Sequence, residues 1–195
     1  VDFVKPNGEK VMRTVADYRQ LNDALFHAGL DSGSEYEWED APNRLHFYVL
    51  DLRKDKDGIL IYTLAVRCLD GAGPQARGVA LTAKAGSAVK QPDTPVVFTL
   101  GNAGKAAAAG AASDQGAAGA HLNSDVYRLS VSVEGKGWTA QLLNGLAAVK
   151  AGASQPVTVY VSSAAGSAKS AKVTLRATSE SDPAKTATAL VKVTR

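Results

Sequence analysis

Beyond residue 74 the hydrophobic residues fall repeatedly at every second position, with turn residues between the runs. Tyr127, Leu129, Val131 and Val133 alternate with Arg128, Ser130 and Ser132, and Val157, Val159 and Val161 alternate with Thr158, Tyr160 and Ser162. Val173, Leu175 and Ala177 repeat the pattern, as do Leu190, Val191 and Val193 less cleanly. A strand sends successive side chains to opposite faces, so this alternation describes strands with one buried and one wet face. The spacing predicts strands over 78–84, 95–101, 125–133, 137–143, 155–162, 171–179 and 187–194. That many strands in about 120 residues, with turns at Asn144-Gly145 and around Gly166, predict two sheets packed face to face. Trp138 and Leu142 are the expected core anchors.

The first part of the chain reads differently. Tyr18, Leu21, Leu25 and Phe26 recur at helical spacing, so residues 14–30 are expected to form a helix, capped by Thr14 and ended at Gly29. Two strands follow, one through Leu45, Phe47 and Val49 and one from Ile59 to Val66, both apolar on nearly every position. Arg53 to Gly58 between them is a polar turn, which makes an antiparallel hairpin with a partner layer on each side. Asp55, Asp57 and Gly58 sit where three positions of a calcium loop would, but Arg53 and Leu64 occupy two of its essential ligand positions, so a solvated turn is expected. Gly71-Ala72-Gly73-Pro74 marks a boundary between residues 1–73 and 74–195. The expected architecture is therefore mainly β, an immunoglobulin-like β-sandwich over 74–195 beside a smaller helix-plus-β-hairpin unit over 1–73. Within the second unit, residues 103–120 are expected to be a mobile loop; in 101–120, 10 residues are alanine and 5 are glycine, which bury too little surface to hold one conformation.

Charge and composition exclude several functions. Residues 1–73 carry a net charge of -4 and residues 74–195 one of +7. The basic residues of the second part are scattered singly and lack interleaved aromatics, which argues against nucleic acid as a partner. No run of apolar residues is long enough to cross a bilayer as a helix. One cysteine, Cys68, excludes an internal disulfide and a multi-cysteine zinc site, and its apolar neighbours predict a buried, inert thiol.

Candidate chemistry is sparse. Glu35, Glu37, Glu39 and Asp40 are the densest acidic group, and in an extended chain the three glutamates lie on one side and Tyr36 and Trp38 on the other. Neighbouring carboxylates on one strand do not build a glycosidase cleft, so a solvated strand is expected. The serine-nucleophile elbow, the phosphate-binding loop and the His-Glu-x-x-His zinc motif are all absent, and no catalytic, cofactor or metal residue is assigned. With only 6% aromatic residues, a strong sugar-stacking platform is not expected; Tyr36, Trp38, Tyr127 and Tyr160 are the rings to inspect for one.

Five segments in order carry a resemblance: Val96 to Gly104, Asp125 to Ser130, Gly137-Trp138, Val149 to Ala153, and Val173 to Pro183. They resemble the NEW3-type, alpha-galactosidase-associated immunoglobulin-like modules of secreted bacterial hydrolases, over about residues 79–195. Gly101 and the extra residues 105–120 depart from that pattern. With Leu45 to Asp51 and Tyr62 to Arg67 upstream, the chain also resembles the C-terminal end of actinobacterial secreted metallopeptidases of the immune-inhibitor-like kind. The resemblance implies a secreted, noncatalytic accessory region that positions or stabilises the catalytic domain of a parent hydrolase, with contact to a polysaccharide or cell surface. The rival readings are an independent metal-dependent hydrolase built on Glu35–Asp40 with His46, Asp125 and His121, and a structural adhesion or assembly module.

Overall fold

The computed structural model describes residues 3–4, 10–11, 37–40, 44–68, 71–73, 75–84, 86–106 and 123–195. The fold is mainly β, and no helix occurs among the described residues. The helix expected over 14–30 lies outside them, as does most of the Ala/Gly-rich stretch at 103–120.

Phe3–Val4 (β1) and Lys10–Val11 (β2) form a short antiparallel pair. Glu37–Asp40 (β3), Leu45–Lys54 (β4) and Leu60–Cys68 (β5) form an antiparallel sheet in the order β3-β4-β5. The expected hairpin is therefore present, with the acidic segment added as a third strand. Its turn is a polar one in which the Asp55 carboxylate accepts from the backbone N–H groups of Asp57 and Ile59 at 2.9 Å each. β4 has a register shift between Val49 and Asp51.

The remaining strands build two larger sheets. Ala80–Ala83 (β6), Thr94–Gly101 (β8), Trp138–Leu142 (β10) and Ser154–Ser163 (β12) lie in the order β10-β12-β8-β6. Ser87–Ala88 (β7), Ser124–Glu134 (β9), Leu146–Lys150 (β11), Ser170–Ser179 (β13) and Thr186–Thr194 (β14) lie in the order β11-β9-β13-β14-β7. Every pairing is antiparallel except β7 with β14. The alternating residues meet in one core: Val96, Phe98, Leu100, Val157, Val159 and Val161 from the first sheet, Tyr127, Val173, Leu175, Val191 and Val193 from the second. Trp138 and Leu142 are buried in it as expected, and the Trp138 indole N–H donates to the Ala168 carbonyl at 2.8 Å.

Two expectations of burial fail for one reason. β5 was read as covered on both faces, yet Leu60, Leu64 and Val66 on the strand and Ile59 just before it are exposed. Cys68 is exposed as well, not the buried thiol its neighbours suggested. β5 is the edge of its sheet, and a continuous apolar run does not say whether a strand lies at the centre or at the edge.

Candidate functional site

The chemistry-bearing side chains gather where the three-stranded sheet meets β9, β11 and the β13–β14 turn. The contact starts with a small apolar cluster of Tyr48, Val126 and Leu146, flanked by Leu50, Ala65 and Ala148. This second layer explains why β9 departs from simple alternation: Asp125, Val126 and Tyr127 are buried in succession, one face against each neighbour. Beside the cluster the Asn144 side-chain amide donates to the Leu50 carbonyl, and its oxygen accepts from the Leu146 N–H at 3.0 Å.

Tyr48 is the hub. It is fully buried, and its ring stacks on that of His46, two residues away on the same face, with centroids 4.1 Å apart. Its hydroxyl donates to Glu180 Oε2 at 2.9 Å and accepts from Arg67 Nε at 2.7 Å. His46 Nδ1 is 3.0 Å from the same oxygen. A phenol has one proton, already given to Glu180, so this pair needs a proton on Nδ1 of His46. Glu180 accepts in turn from Arg128, at 2.8 Å from Nε and 3.2 Å from Nη2, a two-pronged guanidinium–carboxylate contact. Burial pushes the Tyr48 phenol well above its ordinary value of 10.0; the Arg67 hydrogen bond opposes that shift and the Glu180 charge adds to it.

A second polar centre lies one residue further along the same turn. The Asp125 carboxylate, on the next face of β9, accepts from Ser179 Oγ at 2.6 Å, Ser181 Oγ at 2.7 Å and the Val126 N–H at 2.9 Å. Arg77 stands 3.7 Å away and fixes the chain around it by donating to the carbonyls of Ala72 at 2.8 Å and Ser124 at 3.0 Å. Ser179, Glu180 and Ser181 thus alternate as strand residues do: the two serines face Asp125 and the glutamate faces Tyr48. One turn holds both sides of the junction.

Of the expected ligand-contact rings, only those of Tyr127 and Tyr160 have described surroundings. Tyr36 lies outside the described residues; Trp38 is in β3, in register with Phe47. Tyr127 is fully buried, its hydroxyl donating to the Gly78 carbonyl at 2.7 Å, so its face cannot stack on a sugar. Burial, with the nearby Asp125 charge, pushes its phenol above 10.0 as well. Tyr160 is half-buried at an open cleft of about 280 Å³ shared with Leu142, Leu143 and Pro156. Of the proposed acidic centre, Glu35 and His121 lie outside the described residues, Asp125 is committed to two serines, and His46 is stacked on Tyr48. Among the described residues no three His, Cys, Asp or Glu side chains come together as a metal ion requires. Of the junction residues, sequence reasoning had singled out only His46 and Asp125, as parts of a metal centre; Tyr48, Arg67, Arg128, Ser179, Glu180 and Ser181 were missed. The one available signal was Asp125 next to Val126 and Tyr127 near the start of β9, where a carboxylate breaks into the apolar positions of the strand.

Comparison with known proteins places the chain. A family model described as a Peptidase M6-like domain matches residues 77–195, and one described as a middle domain matches residues 1–69. The chain belongs to the Peptidase M6-like family. A protein of the fungus Arthroderma benhamiae, provisionally named as a secreted metallopeptidase, is 46% identical over 201 residues. That alignment covers 100% of this chain and 29% of the relative, so the chain spans under a third of that protein's length. Among solved structures, the secreted serine protease VesC of Vibrio cholerae aligns at 14% identity and a TM-score of 0.35, over 78% of this chain and 35% of its own; at that score the likeness carries no argument.

Membership of the Peptidase M6-like family corrects two readings. The NEW3-type and actinobacterial resemblance gives way to the matched model and the fungal relative, because short blocks of alternating valines and turn glycines recur in any two-sheet β protein. The reading as a noncatalytic accessory region, with its rivals of an independent hydrolase on Glu35–Asp40 or an adhesion module, gives way to a match to the Peptidase M6-like domain model. The described residues do not fit a catalytic metal.

Proposed function

We propose that the chain is part of a secreted metallopeptidase and works as its Peptidase M6-like domain together with the middle domain before it. One observation carries this reading: a relative named for that activity aligns at 46% identity along the whole chain, across both units. The chain is that of a secreted protein, and no helix among the described residues is long and apolar enough to cross a membrane. In this reading the metal ligands lie outside the described residues, and peptide hydrolysis is a property of the longer gene product.

The division into residues 1–73 and 74–195 belongs to the same proposal. So does an immunoglobulin-like identity for the second unit, which its strand order supports. Naming β6, β8, β9, β10, β12, β13 and β14 as A to G in turn makes one sheet A-B-E-D and places C-F-G together in the other. β11 and β7 are then additions at the two edges of the second sheet.

Peptidase assays on the complete gene product test the reading. Cleavage of an unfolded protein substrate is expected, lost with a chelator and restored by divalent metal. A gene product that is folded but cleaves nothing, or whose cleavage survives chelation, sinks it. The 195-residue chain, treated with the same chelator, is expected to keep its melting temperature, because its described residues hold no ligand cluster.

A further inference from the structure

The three-stranded sheet has two unlike faces. His46, Tyr48, Ala65 and Arg67 share the face turned to β9 and β11, while Leu45, Phe47, Val49, Leu64, Val66 and Cys68 share the other. Along the Leu64–Cys68 half of that outer face the exposed residues are those of β5; at the other end Lys54 of β4, opposite Leu60, is exposed as well. Val49 is buried and Phe47 and Leu45 are half-buried on β4, whereas their cross-strand partners Leu64 and Val66 are 53% and 54% exposed and Cys68 is exposed. Leu60, on the same side of β5, is 50% exposed, and Ile59 just before it is 61% exposed.

An edge strand of nine residues is a hazard that soluble proteins blunt with proline, lysine or an inward-pointing charge. β5 has no proline, and its one charged residue, Arg67, is engaged on the opposite face by Tyr48. A contiguous apolar strip on such a strand marks a contact surface. Its occupant follows from the chain's setting. The middle-domain match ends at residue 69, one residue past β5, and the fungal relative has more than two thirds of its length outside this alignment.

We infer that the outer strip of β5, from Leu60 to Cys68, is an intramolecular interface that seats the part of the peptidase lying outside these 195 residues. The inference rests on the reading of the chain as a piece of a longer enzyme. The seated segment covers Leu60, Leu64 and Val66 with apolar side chains and lies beside the open edge of β5. A sheet layer with the two-sheet body on one side and the rest of the enzyme on the other would fix the two relative to each other.

Cys68 provides the readout, as it is the chain's one cysteine and ends the strip. Maleimide labelling is followed by peptide mapping in the 195-residue chain and in the complete gene product, with hydrogen exchange of the β5 amides recorded beside it. The expected result is labelling and exchange at least about tenfold slower in the gene product, an opening equilibrium that a buried contact readily produces. Leu64→Lys and Val66→Lys are expected to leave the isolated chain's melting temperature within a few degrees and to restore fast labelling in the gene product. Equal labelling in both proteins overturns the inference. So does protection already present in the isolated chain, whether by its own residues 1–36 or, if light scattering shows a dimer, by a second copy. Peptidase activity separates the two proposals: an active, chelator-sensitive gene product with unprotected Cys68 sinks the interface alone, and a protected but inactive one sinks the enzymatic reading alone.

Discussion

A carboxylate held at 0% side-chain exposure is tolerable only if its lone pairs are filled, and Asp125 fills them with two serine hydroxyls, a backbone N–H and the nearby Arg77. Asp125→Ala removes the acceptor and leaves those donors buried together with a guanidinium. The expected loss is about 3 kcal/mol, read as a lower midpoint in urea, since breaking one partner of a buried charged network costs that order. The two buried tyrosines set the alkaline limit. Both phenols are raised in the folded state above the 10.0 of the unfolded chain, so above pH 10 the unfolded state binds fewer protons than the native one. Stability is whole below that pH and falls above it, by up to roughly 1.4 kcal/mol per pH unit for each tyrosine. Tyr48→Phe removes one of the two contributions, and urea melts between pH 9 and 11 should show the shallower decline; an unchanged slope contradicts the assignment. None of this was legible beforehand. Tyr48 reads as one more apolar strand residue; Arg67 lies on the other strand of the expected hairpin, but Glu180 is 132 residues away, so only the fold brings it to the pair.

At the scale of the element, the β13–β14 turn does the joining, because Ser179, Glu180 and Ser181 face opposite ways from one short segment. If Glu180 is the link between Tyr48 on one sheet and Arg128 on another, the pairs must be coupled. A double-mutant cycle of Tyr48→Phe with Glu180→Gln should give an interaction energy of about 1 kcal/mol, within the range for residues in one network. Strict additivity would show that the hydroxyl and the carboxylate stabilise the fold independently. The strands themselves were well marked in the sequence: β8, β9, β12, β13 and β14 fall within one residue of the predicted limits at each end, since along most of their length one face lies in the core and the other toward water, with only the start of β9 covered on both. β11 was missed because Leu146 and Ala147 are buried on opposite faces, one against Tyr48 and one in the two-sheet core, so its pattern does not alternate. β7 is too short to carry a period. Gly104 belongs to the same level of description. Its missing side chain lets Lys105 donate to the Ala76 carbonyl at 2.8 Å, and a methyl there would stand 2.4 Å from that oxygen.

Across the whole molecule the two cores are unequal. The core between the larger sheets includes Phe98, Leu100, Val159, Val161, Val173, Leu175 and Val193, all fully buried, whereas the junction cluster has Tyr48, Val126 and Leu146. Apolar burial contributes roughly 25 cal/mol per Å², so the three-stranded sheet, with fewer buried apolar side chains at its contact, is held on less firmly than the two larger sheets are held to each other. Such a layer opens locally before the body unfolds. Native-state hydrogen exchange should therefore find the amides of β4 and β5 opening at a lower free energy than those of β12 and β13. Glu180→Ala, which strips Tyr48 and Arg128 of their shared acceptor, should widen that gap by speeding exchange in β4 and β5 while leaving β12 unchanged. Equal acceleration in all four strands would mean that the junction and the body form a single cooperative unit, and that Glu180 stabilises the molecule globally instead of fastening one layer to the next.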